Sequence, residues 1–520
     1  MRLLRNFATV GAYTMASRVL GFARDVMIAA FLGAGPIADA FFVAFKLPNL
    51  FRRLFAEGAF NSAFVPLFAR VRAEEGADGG VRFASSVLSW LLIVMLVVTT
   101  LAQIFTPVLV WVLAPGFEDP GRDIAVFYTR ICFPYLVAMS IVAFLSGILN
   151  TLDRFAAAAF APVLLNIVLI GALLFAGLSG FDPFATGTAL AIGVFFAGIA
   201  QAILLAIAVW RMGVRLTLSR PRITPRIKRL FWLGVPGVIS GGITQINIVV
   251  GTIIASPFAG AVSYLYYADR LYQLPLGIVG IALGVVLLPD LSRRLRGGDE
   301  AGAVWTQNRA LEFALMLTLP AAAALIAVPL EIVVTLFERG AFERSDAAMT
   351  AAALSAYGLG LPAFVLIKVF SPSFFAREDM KTPMIFAGVS MVVNVVGSIV
   401  LARLFAPQGL AHVGIALATS AAGWVNAILL FVTLIRRGAF KPDALLCTRA
   451  LGFVAAALAL MIAAVLVARG LSGWFFDASI LSSAAALAVV VVSSFLAFAI
   501  TCELFGTFGV RDLIKALRRS

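Results

Sequence analysis

Fourteen long apolar stretches, separated by short charged or Gly/Pro-rich breaks, constrain this chain more than any other feature. A helix crosses the hydrocarbon of a bilayer in about 20 residues. The stretches lie at approximately 8–33, 36–69, 84–113, 123–150, 156–178, 185–210, 230–256, 262–291, 308–336, 346–375, 382–404, 410–435, 447–468 and 478–506. Composition agrees. Of 520 residues, 62% are hydrophobic and 13% charged, about half the charged share of a soluble domain. The fold class expected is an all-α integral membrane protein with about 14 transmembrane helices, because only helices or closed barrels satisfy their backbone in lipid.

Orientation follows from where lysine and arginine fall. With the N-terminus inside, the even-numbered breaks face the cytoplasm. They read RVRAEEGADGGVR (70–82), LDRF (152–155), RMGVRLTLSRPRITPRIKR (211–229), SRRLRGGDE (292–300), REDMK (377–381) and RRGAFK (436–441), and every one carries Lys or Arg. The tail, RDLIKALRRS, is basic too. The odd breaks PGFEDPGRD (115–123), LSGFDPFA (178–185) and FERGAFERSD (337–346) are acidic on balance. Both termini are expected in the cytoplasm, with the first apolar stretch retained as a helix. The net charge of +14 is thereby assigned to topology. No basic soluble domain remains to bind nucleic acid.

A weak internal repeat organises the helices. AFKLPNLFRRLFAEG in the second stretch is echoed by YYADRLYQLPLGIVG in the eighth, and a further proline follows each, Pro66 and Pro289. The offset of six helices predicts two six-helix lobes of the same orientation, 1–215 and 216–440. Residues 441–520 add helices 13 and 14 and a cytoplasmic tail.

The functional signal is charge where charge is costly. An ionised side chain at mid-bilayer costs roughly 2.5–3.5 kcal/mol on insertion scales. Helical spacing places Ser17 and Arg24 on one stripe of helix 1, with Arg18 and Asp25 on the next. In helix 2, Asp39, Lys46, Arg53 and Glu57 share a face that Asn49 and Arg52 widen. In helix 8, Ser263 and Arg270 share a stripe beside Asp269, with Gln273 one turn on. Lys368 in helix 10 is an isolated cation. Snorkelling or structural pairing accounts equally well for Lys46 and Arg53, and the four carboxylates require partners. The set Arg18, Arg24, Arg52 and Arg270 exceeds what packing needs and is expected to face a water-filled cavity between the lobes. With Lys46 and Arg53 these are six cations against Asp25, Asp39, Glu57 and Asp269, an excess of two. That suits a diphosphate, which arginine forks bind bidentately. Alanine at Arg24, Arg52 or Arg270 is expected to abolish transport while sparing folding.

Other chemistries find less support. Cys132, Cys447 and Cys502 have no CxxC spacing and His412 is the single histidine, so no His/Cys metal site and no cofactor are expected. A polyprenyl-phosphate transferase would want clustered carboxylates for Mg²⁺ in a cytoplasmic loop. An exporter of drugs or of another lipid-linked glycan, and an anion channel, remain as rivals. Gly234-Val-Pro-Gly, Pro275, Pro289, Pro362 and Pro372 are candidate hinges, and helices 13 and 14 read as apolar apart from their ends.

The segments SRVLGFARD, DAFFVAFKLPNLFRRLFAEGAFNSAFVP, YADRLYQLPLGIVGIALGVVLLP and LFERGAF resemble the MurJ/MviN lipid II flippases of the multidrug/oligosaccharidyl-lipid/polysaccharide exporter superfamily. The resemblance spans the chain. It implies two six-helix lobes in a V-shaped parallel repeat plus two helices lining a groove. It also implies a non-enzymatic flippase that moves undecaprenyl-pyrophosphoryl-MurNAc-pentapeptide-GlcNAc, lipid II, from the inner to the outer leaflet of the bacterial cytoplasmic membrane for peptidoglycan synthesis. Substrate contacts are then expected at Ser17, Arg18, Arg24, Asn49, Arg52, Arg53, Ser263, Arg270 and Lys368. Gating or ion-pair roles fall to Asp25, Asp39, Lys46, Glu57, Asp269 and Gln273. Expected partners are lipid II, membrane lipids and other cell-wall synthesis proteins, with the chain itself a monomer. Some relatives hold sodium with carboxylates in helices 7 and 11. Here those helices offer Gln245, Asn247, Asn394 and Ser398 instead, which predicts no tight sodium site.

Overall fold

The computed structural model describes residues 2–51, 60–476 and 479–507. The helices in chain order are α1 (Arg2–Leu32), α2 (Pro36–Phe51), α3 (Asn61–Ile104), α4 (Thr106–Leu113), α5 (Gly121–Cys132), α6 (Tyr135–Thr151), α7 (Phe155–Leu178), α8 (Pro183–Arg211) and α9 (Pro225–Ala255). There follow α10 (Ala261–Arg296), α11 (Glu300–Ala327), α12 (Pro329–Phe337), α13 (Arg344–Phe375), α14 (Lys381–Phe405), a 3-10 turn (Ala406–Gln408), α15 (Ala411–Arg436), α16 (Ala444–Gly470), α17 (Ser472–Phe476) and α18 (Ile480–Leu504). Among the described residues, ten helical segments are long and apolar enough to cross a membrane. Helix α1 falls outside that set because Arg18, Arg24 and Asp25 interrupt it, and α2 is 16 residues long.

Proline sets several boundaries that the apolar pattern did not show. The stretch at 123–150 is two helices, α5 and α6, parted at Phe133-Pro134, and that at 308–336 is α11 and α12, parted at Val328-Pro329. Proline has no N–H to give to the preceding turn. Elsewhere the helix runs on through proline: α10 contains Pro275 and Pro289, and α13 contains Pro362 and Pro372. The break expected at 70–82 is a sharp turn at Gly76 between two helical arms of α3, and the rings of Phe64 and Phe83 stack across it at 6.2 Å. Its Arg, Ala and Glu residues favour helix, and Arg70 pairs with Glu74 one turn on at 2.7 Å. Only Gly76 leaves helical geometry, at φ 74° and ψ −171°. Helix starts are capped by side chains. Asp182, Asp299 and Asp443 each accept from a backbone N–H three residues on, at 2.7–2.8 Å, which satisfies donors the first turn leaves open.

The chain divides into two compact units, Met1–Ser263 with Arg339–Phe342, and Tyr264–Glu338 with Glu343–Ser520. In the first, α7 lies along α1 and α8, α6 along α3 and α8, and α2 along α5. Helices in lipid associate by close fit, with small residues at the contacts. Gly198 on α8 is one: a Cβ there would come 2.7 Å from the ring of Tyr135 on α6. The turn Arg339–Phe342 completes this unit. Ala341 N–H donates to the Ala30 carbonyl at 2.8 Å, and Gly33, at φ 64°, has no room for a Cβ beside the Ala341 carbonyl.

In the second unit, α15 lies between α13 and α14, α11 contacts α13 and α16, and α16 contacts α18. Leu291, Val369, Phe370 and Leu434 anchor one apolar core. Phe453, Leu460 and Phe498 anchor another, where α16 meets α18.

Candidate functional site

The first-unit charges separate into distinct environments. Arg24 is buried, and all three of its guanidinium nitrogens are engaged. Nε and one Nη donate to Asp25 Oδ1 at 3.0 and 2.6 Å, and the other Nη donates to Asn166 Oδ1 at 2.9 Å. Asn166 Nδ2 then reaches the Ser17 carbonyl at 2.9 Å. One asparagine on α7 thus ties Ser17 and Arg24 of α1 together. The stripe shared by these two residues is therefore a helix–helix contact. Removing Arg24 would delete its buried pair with Asp25 and its bond to Asn166, so alanine here is expected to cost stability, unlike the sparing of folding expected from the sequence. Arg18, by contrast, is exposed, and among the described residues it forms no ion pair.

On α2, Asp39 is 2% exposed. It accepts from Gly260 N–H at 2.8 Å and from Ser263 N–H and Oγ at 2.7 and 2.5 Å. A carboxylate thus closes the open donors at the start of α10, where the helix dipole favours negative charge. Ser263 is buried in that contact. Lys46 Nζ donates to Thr252 of α9 at 2.5 Å, and Asn49 Nδ2 to the Phe45 carbonyl at 2.9 Å. Arg52, Arg53 and Glu57 lie outside the described residues.

In the second unit, the Arg270 guanidinium lies over the ring of Tyr266, 4.6 Å from its centre, a cation–π contact. Gln273 donates to Asp269. Lys368 is exposed, and its Nζ lies against Gly280 of α10, where a Cβ would come within 2.9 Å.

Sequence reasoning missed several polar groups. Asn166 was visible as a lone amide in an otherwise apolar run. Glu312 of α11 is buried between Arg309 at 2.7 Å and Arg449 of α16 at 2.9 Å, and Arg309 also pairs with Asp443. Tyr264 donates to Asp346 at 3.1 Å, and its ring lies 5.1 Å from that of His412. His412 is buried with Nε2 2.9 Å from the Met349 carbonyl. The three cysteines are free.

Two further places test other chemistries. Asn394 Oδ1 accepts from Ser398 and Thr419 at 3.3 and 3.2 Å. This set holds no carboxylate and does not fit a tightly held cation. The side chains of Gln245 and Asn247 lie outside what is described. An apolar cleft of about 600 Å³ beside α5, α7 and α8, lined by Phe127, Phe175, Phe181, Phe184 and Phe196, offers no charge for a polar headgroup.

Arginines, carboxylates and amides on membrane helices suit binding and transport, not covalent turnover. The fold agrees. An inward-facing multidrug-resistance MATE-family transporter of the MOP superfamily matches 83% of this chain and 97% of its own, with a TM-score of 0.65 at 16% identity. The class is therefore an all-helical membrane fold of the kind seen in that structure.

A solved structure titled lipid II flippase MurJ, inward closed conformation, matches 97% of this chain and 99% of its own, with a TM-score of 0.77 at 26% identity. The family model described as lipid II flippase MurJ matches residues 28–485. A probable lipid II flippase MurJ of Rhizobium meliloti (strain 1021) is 53% identical over 90% of this chain and 87% of the relative. The lipid II flippase MurJ of Burkholderia cenocepacia is 36% identical over 85% and 86%. The chain belongs to the MurJ family. It is a multi-pass membrane protein of a transporter family, not an enzyme family.

Proposed function

We propose that this chain moves lipid II from the inner to the outer leaflet of the cytoplasmic membrane by alternating access, feeding peptidoglycan synthesis. The family match over 28–485 carries the reading, and the charged helices give it a mechanism. A diphosphate cannot cross hydrocarbon unaided, whereas each charge-assisted hydrogen bond from an arginine contributes about 1.5–3 kcal/mol. Exposed Arg18 and Lys368, and Arg270 stacked on its tyrosine, are the cations proposed to meet the diphosphate. Arg24, held by Asp25 and Asn166, orders the helix that carries Arg18. The other proposed contacts are Asn49, Arg52 and Arg53, joined by Ser17 and Ser263 when their bonds to Asn166 and Asp39 open. Asp25, Asp39, Lys46, Glu57, Asp269 and Gln273 hold partners that change as access alternates.

The polyprenyl tail stays in the bilayer while the headgroup crosses. The chain works as a monomer with both termini in the cytoplasm, in lobes 1–215 and 216–440 and with helices 13 and 14 in 441–520. Membrane lipids and other cell-wall synthesis proteins are its neighbours. The test is depletion in cells with leaflet-resolved measurement of lipid-linked precursor. Precursor should accumulate in the inner leaflet and cells should lyse. Normal outer-leaflet precursor in cells lacking any other flippase would overturn the assignment.

A further inference from the structure

The segment between α8 and α9 is bound to the protein along its length. Residues 212–224 run without helix beside α3. Thr217 N–H donates to Ser85 Oγ at 3.2 Å, Ser219 N–H to Ser89 Oγ at 3.1 Å, and Trp90 Nε1–H to the Arg222 carbonyl at 3.2 Å. Both serines are buried and stand one helical turn apart, so the strap follows the direction of α3. Val214 is tucked inward, and Arg226 just beyond the strap pairs with Glu75.

A fixed backbone fixes what the strap shows to its surroundings. Leu218 is 71% exposed and Ile223 73%. Interleaved with them, Arg215, Arg220 and Arg222 are exposed, and among the described residues their guanidiniums have no hydrogen bond or ion pair. No Asp or Glu occurs between Asp182 and Asp269, so no nearby acid in the sequence offsets them. Trp210 and Trp232 flank the strap at 63% and 70% exposure, and tryptophan favours the membrane–water boundary. Topology alone asks only for lysine or arginine in such a loop. It does not ask for an ordered strap that holds bare leucine and isoleucine beside unpaired arginines. Apolar side chains reaching acyl chains and cations reaching phosphates are what an interfacial segment needs.

We propose that residues 212–224 form a docking surface for the headgroups of anionic phospholipids in the leaflet they face. The proposal rests on the chain spanning a membrane and not on its cargo. Exposed cations near an anionic surface each favour it about fivefold, with the effect fading in high salt.

The experiment is hydrogen–deuterium exchange of the whole protein in nanodiscs of phosphatidylcholine with and without phosphatidylglycerol. Both leaflets carry the anionic lipid, so the result is independent of the direction of transport. Exchange over 212–224 should slow about fivefold or more with phosphatidylglycerol, and the slowing should vanish in high salt and in R215Q/R220Q/R222Q. L218S/I223S should exchange faster in both lipids. Equal exchange in the two lipids, or slowing that survives the triple substitution, would overturn the proposal.

Discussion

Arg18 and Arg24 sit on one helix and meet opposite surroundings, and that difference decides what each can do. Arg18 is open to solvent or substrate, whereas Arg24 spends its donors on Asp25 and Asn166. Arg18→Ala should melt with the wild type in detergent and fail to complement a flippase-depleted strain. Arg24→Ala should lose stability as well, because it removes the buried pair with Asp25 and the bond to Asn166. Asn166→Leu should share the lowered melting temperature. Thermal unfolding run beside complementation separates these outcomes, and wild-type melting of Arg24→Ala would contradict the buried network. The helical period was enough to put Ser17 and Arg24 on one stripe. It could not show that the stripe faces α7, because nothing local in the sequence links residue 24 to residue 166.

Helix pairing shows the same gap between local and distant information. Residues 308–336 and 447–468 were legible as apolar stretches, but nothing local in the sequence links Glu312 to Arg449, which meet only because α16 packs against α11. Glu312→Ala should destabilise the protein by about 1–3 kcal/mol, since Arg449 loses its partner while Arg309 keeps Asp443. Glu312→Leu combined with Arg449→Leu should cost less than the two single changes together. A double-mutant cycle on unfolding free energies measures the coupling.

The α13–α14 connection carries a titratable clasp outside the spans. Asp379 accepts from Thr382 N–H and Oγ at 2.9 and 2.6 Å, and Arg437 pairs with it at 2.7 Å. These bonds, Thr382 first, hold its carboxyl well below the ordinary value of 3.8. A folded-state value below the unfolded one stabilises fully above the unfolded value and fades as pH falls toward the folded one. Asp379→Asn should therefore flatten the loss of thermal stability below about pH 4 and change its slope little at neutral pH. An unchanged acid limb would remove the clasp from the account.

At the scale of the molecule, bilayer thickness made the fold legible and chain breaks blurred it. Each of the fourteen apolar stretches contains helix among the described residues, while Pro134 and Pro329 cut two of them and the break at 70–82 narrows to a kink at Gly76. Topology is open to direct measurement. Alanine at Cys132, Cys447 and Cys502 should retain activity, since all three are free. A single cysteine then placed at Ser219 should react with a membrane-impermeant maleimide only from the cytoplasmic side, and one at Ser179 only from outside. Labelling of both from one side would redraw the topology. The turn Arg339–Phe342 has a consequence for the order of assembly. The first unit needs a backbone bond from Ala341 to Ala30, so it stays unfinished until the ribosome has delivered residue 342, well into the second unit. Two gene fragments divided at 263 would hand that turn to the wrong partner, and reconstitution from halves should succeed only where the second fragment returns it.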